Sequence, residues 1–463
     1  METIKKRAEI CLVLTHRQQL RSWVYNGLLM ELRKHFNIRI LLSPEFSGIS
    51  GVKEFEGLKV DFWKQPANAK VERIALFLQL VGHRNHRTFR ERIRKQIFDE
   101  KVFQSKIEVL SYITKSIRRK TLLYGIHLKL IRGHYTKKYQ EYLKLNLVQE
   151  LPNADLYLVV TSMSNITTDA LLYSLEFNKK HYIQVVENWD NLSSKLSINF
   201  SPDHLVVWSE QTKLHAMDIH NVSPEIIQIL GSPRFPSLRK IHELKSLKPI
   251  TSSNLRLYYA GFYSECNNLQ SIVELCEELE KSFSSQEFTL VYRPHPLNRD
   301  LICSEYKKAQ PRNIVLDLMP EEENNNSNWP TYFDGFYNEL LKCDVIIGTP
   351  STFLIEELMF DKPIILDFRT CSAHYNSAKR HFAHSTHLEE LANSSEILKM
   401  NNLSELHSLL LMAMSMNTQE QDRLKSFLAY NNELDYSERL INFVEDCLGK
   451  CIQLRSASIS IDN

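Results

Sequence analysis

The sequence predicts an α/β protein of two domains, each a doubly wound and mainly parallel sheet. Three observations predict it. First, short apolar runs rich in Val, Ile and Leu recur along the chain. The first half holds "EICLVLTH", "IRILLS", "LKVDFW", "DLYLVVTS", "HYIQVVEN", "HLVVWS" and "IIQILGSP"; the second holds "LRLYYAGF", "FTLVYRPHP", "NIVLDL", "DVIIGTP" and "PIILDF". They do not alternate cleanly with polar residues, which is the pattern of strands buried on both faces. Second, segments with helical apolar spacing lie between them, among them "NLQSIVELCEELEKSF" and "YFDGFYNELLKC". Alternating β and α implies right-handed crossovers onto a parallel, Rossmann-like sheet. Third, 463 residues are too many for one comfortable core.

The N-terminal "METIKKRAEICLVLTH" reads as a first strand, because its apolar stretch is too short for a secretory signal. No window reaches the roughly 18 apolar residues of a membrane span. The expectation is a cytoplasmic protein, soluble or peripheral on the inner face of the membrane. The polar stretch "LRKIHELKSLKPITSSN" at 238–254 carries a Pro and a Ser/Thr cluster and reads as a linker. It divides an N-terminal domain, 1–245, from a C-terminal domain, 246–450. Helices are expected from about 384 to 450, and 451–463 read as a frayed tail. The eight cysteines are scattered without a CxxC pair, so they read as reduced residues and no zinc site is expected.

One segment departs from the pattern. Residues 70–145 carry 19 Lys+Arg against 6 Asp+Glu, a net +13 in a chain of net +2, with apolar residues at helical spacing. This is a basic helical insertion, about 70–150, in the N-terminal domain. Either its charged face is simply solvated, or it settles on anionic lipid headgroups. No recognition motif supports nucleic acid as a partner.

In open α/β sheets, ligands bind beyond the carboxyl ends of the strands. After "DVIIG" come Thr349, Pro350, Ser351 and Thr352, then the helical "FLIEELMF". Small hydroxyl residues there can cap a helix or help hold a phosphate. Thr352 and Glu356 are four apart and share a helix face, so Glu356 is placed to accept hydrogen bonds from ribose hydroxyls. After "FTLVY" come Arg293 and His295, held between prolines, both able to donate to phosphate oxygens. Gly261 follows the first strand of the C-terminal half, where backbone can approach a ligand closely. The structural alternatives are an ordinary cap with a surface Glu, and a loop His with a salt-bridged Arg. In the N-terminal half, "VVENWDNLSSK" crowds Glu187, Asn188, Trp189, Asp190 and Asn191 at a strand end. Glu187 or Asp190 is a candidate base for an acceptor hydroxyl, with His16 after the first strand as rival. Trp189 is either a stacking platform for a sugar or a buried anchor.

The stretches "YRPHP", "GTPSTFLIEELMFDKPIIL" and "VVWSEQTKLHAMDIHNVSPEIIQILGSPRF" resemble nucleotide-sugar glycosyltransferases of the GT-B fold. The resemblance is to those of bacterial surface polysaccharides, including CDP-glycerol glycerophosphotransferases and capsule transferases with a His-Pro motif. It covers about residues 150–370. It implies two Rossmann-like domains facing a cleft. It also implies that His295 with Ser351 and Thr352 contacts donor phosphates, and that Glu356, seven residues before Pro363, contacts the ribose. Glu357 and Asp361 stand where the family has a small residue and a Gly, which leaves the nucleotide open. No Asp-x-Asp occurs, so a metal-free transfer is expected, with leaving-group charge offset by fixed donors, and no cofactor.

The expected function is transfer of a sugar from a nucleotide-sugar donor to a capsule, O-antigen or lipid-linked glycan acceptor. Alternatives are transfer of an alditol phosphate from a CDP-alditol, a sugar-nucleotide epimerase, or a non-catalytic scaffold of a polysaccharide assembly complex.

Overall fold

The computed structural model describes residues 7–47, 52–63, 69–83, 86–89, 92, 122–148, 150–247, 254–261, 269–284, 287–295, 299–309, 312–318, 329–348, 353–369, 382, 385–417, 421–430 and 432–459. Each apolar run named above forms a strand. The first sheet has seven: β1 (Glu9–Leu14), β2 (Asn37–Leu42), β3 (Lys59–Phe62), β4 (Leu156–Thr161), β5 (Tyr182–Val186), β6 (His204–Val207) and β7 (Ile227–Ile229). The second has six: β8 (Leu255–Ala260), β9 (Phe288–Arg293), β10 (Ile314–Leu316), β11 (Val345–Gly348), β12 (Ile364–Asp367) and β13 (Leu398–Met400). The orders are β3-β2-β1-β4-β5-β6-β7 and β10-β9-β8-β11-β12-β13. Every neighbouring pair is parallel. All residues of β4, β5, β11 and β12 are buried, as helices on both faces require.

Both sheets are doubly wound. The chain runs outward from β1 through β2 to β3, then returns to lay β4 on the other side of β1; β8 to β11 repeat the manoeuvre. Each sheet therefore has one switch point, β1/β4 in the first and β8/β11 in the second, where a crevice opens at the carboxyl ends.

The chain forms two compact units. One comprises Leu29–Ile229 with the chain before Arg21 and from Leu440 onward; the other comprises Leu230–Arg439 with Arg21–Leu28. The division thus falls at 229/230, not at 245/246. The stretch read as a linker starts with a helix, Leu238–Leu247, which buries Ile241 and Leu244. Its polar composition conceals an apolar face at helical spacing. The supposed tail is also corrected: a helix runs from Tyr436 to Ile459. Strand β13 falls in the stretch expected to be helical. Its three residues are too short to give a periodic signal.

The ends of the basic insertion are packed onto the first unit. Helices Ala69–Gly82 and Leu122–Leu145 join helix Ile166–Phe177 in one apolar cluster of Val71, Ala75, Tyr139, Leu143, Ile166 and Ala170. The Tyr139 hydroxyl donates to Asp169 Oδ2 at 2.8 Å, and the Asn199 amide donates to the same oxygen at 3.1 Å. Much of the basic density, at 84–85, 90–91 and 93–121, lies outside the described residues. Among the described residues, no helix is long and apolar enough to cross a membrane.

Candidate functional site

In the second unit, three strand ends lie side by side at the switch point. β8 is the middle one: Ala260 is in register with Arg293 of β9 on one side and Gly348 of β11 on the other. At strand spacing, Arg293 and Gly348 are about 10 Å apart. The Gly261 N–H donates to the Arg293 carbonyl at 2.8 Å. A Cβ on Gly261 would meet that carbonyl oxygen at 3.1 Å and the His295 nitrogen at 3.3 Å. Glycine at 261 is therefore explained by close backbone packing against the turn that carries His295.

Arg293 is held in a specific slot. Its guanidinium lies 4.1 Å from the ring centre of Phe336 and 5.4 Å from that of Phe353, with Nη1 3.4 Å from Asp317 Oδ2. The Tyr258 hydroxyl donates to the same Asp317 oxygen at 2.5 Å. Phe353 opens the helix after β11 (Phe353–Leu358). The Arg293–Phe353 contact therefore ties the end of β9 to the chain leaving β11, across β8. His295 is half-buried, and burial lowers its imidazole pKa, which favours the neutral ring with one N–H to donate. Thr349, Ser351 and Thr352 lie outside the described residues, between Gly348 and Phe353.

Glu356 is buried and paired with Arg234. That arginine belongs to "GSPRF" after β7, and the Tyr337 hydroxyl donates to its carbonyl at 3.1 Å. Glu357 is 1% exposed. Burial, and then the Glu356 charge, hold its carboxyl well above the usual carboxylate range, with Arg293 opposing. Its Oε1 lies 3.5 Å from where a Cβ on Gly348 would stand. Asp361 adopts a left-handed backbone, φ 56°. It pairs with Lys425, which is almost wholly buried, and with Lys245 at 3.4 Å. The glycine expected there is thus replaced by a residue type that tolerates positive φ.

In the first unit, the Glu187 N–H donates to the Thr161 carbonyl at 3.0 Å, and its side chain is buried. Asn188 is half-buried. Trp189 is 2% exposed, which fits a buried anchor and offers no open face for a sugar. Asp190 lies 3.5 Å from Lys195 Nζ and accepts from Ser194 Oγ at 3.2 Å. His16 Nε2 is 3.4 Å from Glu45 Oε1, and its Nδ1 accepts from the Gln18 N–H at 3.3 Å.

A cavity of about 440 Å³ opens at this unit's switch point, lined by residues after β1, β2 and β4 and by the insertion helix. Glu45 is on its wall. Among the candidate bases, His16 has a partner, Glu45, that lines this space. The sequence reading missed Glu45 and Arg234. Both follow apolar runs, at β2 and β7, so the strand-end rule applied to every strand would have flagged them. Among the described residues, no group of three His, Cys, Asp or Glu side chains is placed to hold a metal.

The fold and these strand-end sites define a two-unit α/β protein with a candidate ligand crevice at each switch point. The sequence matches no protein-family model and no curated protein. Solved structures with similar folds include a putative UDP-N-acetylglucosamine 2-epimerase from Listeria monocytogenes, with 13% identity, 96% of this chain and 97% of that chain covered, and TM-score 0.46. A UDP-GlcNAc 2-epimerase from Neisseria meningitidis bound to UDP-GlcNAc gives 11%, 95%, 100% and 0.45. A variant of the wall teichoic acid polymerase TagF gives 10%, 96%, 90% and 0.49.

Proposed function

We propose that the chain is a metal-independent glycosyltransferase of surface-polysaccharide synthesis. It takes a nucleotide-sugar donor at the second unit's switch point and a glycan or lipid-linked acceptor at the first unit's. The observation that carries this reading is the Arg293–Phe353 contact across β8, because it joins the two motif clusters that the resemblance assigns to one diphosphate. In the reaction, the acceptor hydroxyl oxygen bonds to the anomeric carbon. The bond from that carbon to the β-phosphate oxygen breaks, and its electron pair leaves on the nucleoside diphosphate.

In this reading His295, with Thr349, Ser351 and Thr352, donates to the diphosphate. Arg293, fixed by Asp317 and the two phenyl rings, supplies positive potential from a set position. Glu356 accepts from the ribose, oriented by Arg234. The hydroxyl proton goes to the His16–Glu45 pair, with Glu187 and Asp190 as the rival bases and Asn188 as an acceptor contact. The basic segment 70–145 holds the protein near anionic lipid when the acceptor is lipid-linked.

A thermal-shift panel of UDP-, GDP- and CDP-linked sugars and CDP-glycerol tests this. A true donor at about 100 times its Kd stabilises by about 2.7 kcal/mol. His295→Ala should remove that stabilisation, whereas His16→Ala should keep it and lower turnover. Stabilisation by CDP-glycerol alone would move the reading to alditol phosphate transfer, and stabilisation by none would remove it. Flotation on anionic vesicles, lost in high salt, tests the membrane part.

A further inference from the structure

The first unit's cavity has a wall that neither reading of the basic insertion anticipates. Glu72, Ala75, Leu76 and Gln79 all line it. Their spacing puts them on one face of helix Ala69–Gly82. That helix is fixed in place, because Val71 and Ala75 are buried in the cluster with Tyr139, Leu143, Ile166 and Ala170. Among its described side chains, this net +13 segment turns the carboxylate of Glu72 and the amide of Gln79 towards the crevice.

The rest of the lining mixes apolar side chains, Pro44, Met163 and Ile166, with polar ones. Its charged groups among the described residues are Glu45 and Glu72, both carboxylates. Ser43 is 3% exposed, lines the cavity, and its hydroxyl has no hydrogen-bond partner among the described residues. Asn165 uses its side-chain oxygen to cap helix Ile166–Phe177 at Thr168 N, 2.8 Å away, so its NH₂ group is the part not spent on the cap. Thr167 adds a hydroxyl. Carboxylates, hydroxyls and amides set among apolar side chains around about 440 Å³ match a sugar, with its hydroxyls and its apolar ring face, and the volume is in the range of small-molecule sites. The two carboxylates among the described lining residues disfavour a phosphate or carboxylate ligand.

We propose that this cavity binds an uncharged sugar ring, and that the insertion helix selects it through Glu72 and Gln79. Calling that sugar the acceptor terminus rests on the glycosyltransferase reading; the binding chemistry does not. Any phosphate of a lipid-linked acceptor then lies outside this cavity.

The test is ligand-observed NMR on the full chain without donor, using methyl glucoside, methyl N-acetylglucosaminide and the 6-phosphate of each. At least one neutral glycoside should bind at least tenfold more tightly than its phosphate. Glu72→Ala and Gln79→Ala should each weaken that binding threefold or more while leaving donor stabilisation intact. Glu72 is exposed on its helix, so Glu72→Lys should fold, and it should narrow the gap between neutral and phosphorylated ligands. No binding by either glycoside, equal or tighter binding of the phosphates, or indifference to all three variants would overturn the proposal. Glycoside binding without any donor response would sink the transferase reading alone; donor response without glycoside binding would sink this one alone.

Discussion

Replacing Asp169 by asparagine probes how the insertion is fastened to the first unit. Burial pushes the Asp169 carboxyl up from 3.8 to about 6, against the opposing hydrogen bonds from Tyr139 and Asn199. A shift of about two units is on the order of 3 kcal/mol. The folded pKa lies above the unfolded one, so the folded state holds the proton more tightly. Stability from this group is fully present below about 3.8, falls as pH rises, and is lost above about 6. Asparagine cannot ionise, yet it keeps an oxygen to accept from Tyr139 and Asn199. Asp169→Asn should therefore match the parent near pH 4 and exceed it at pH 7.5 by up to about 3 kcal/mol, roughly 5–10 °C in Tm for a unit of this size. Urea titrations of both proteins between pH 4 and 8, followed by tryptophan fluorescence, measure the difference. A variant that is less stable by the same amount at every pH would refute the reasoning, because it would show a pure hydrogen-bond loss with no ionisation behind it.

Three further outcomes follow from the geometry. Asp361→Ala should cost about 1–2 kcal/mol more than Asp361→Asn in chemical denaturation, because alanine resists the left-handed backbone that asparagine accepts; equal costs would show that only the lysine pairs matter. Trp189→Ala should destabilise by about 3–5 kcal/mol as a buried large-to-small change, and a variant that keeps its stability but loses acceptor affinity would return Trp189 to the acceptor site. Glu357→Gln should be at least as stable as the parent at pH 8, because burial and Glu356 disfavour the ionised form; a marked loss would mean that the charge is needed.

The strands were legible because parallel strands covered on both faces are apolar along their whole length, and nearly every such run fell between helical segments. β13 was not, because Leu398–Met400 is too short to display a period. The helix Leu238–Leu247 was hidden by its polar composition, since burial of Ile241 and Leu244 needs only a narrow stripe. The site shows the same division. The strand-end rule placed Arg293, His295, Glu187 and His16 at or just past the ends of their strands, because position in a doubly wound sheet follows from the order of runs. What those side chains touch did not follow. Arg293 meets Asp317, Phe336 and Phe353, Glu356 meets Arg234, and His16 meets Glu45. Such partners come from other elements, and periodicity carries no information about them. The described part of the insertion's inward face was obscured by its net charge: Glu72 and Gln79 at helical spacing disappear in a count dominated by lysine and arginine.

The central claim is that the β8, β9 and β11 ends form one diphosphate site. Hydrogen–deuterium exchange of the full chain, with and without the nucleotide-linked donor that stabilises it most, tests this directly. The account predicts slowed exchange together at 258–261, 292–296 and 348–356, abolished by His295→Ala. Protection of only one of these stretches, or protection confined to the first unit, would contradict it.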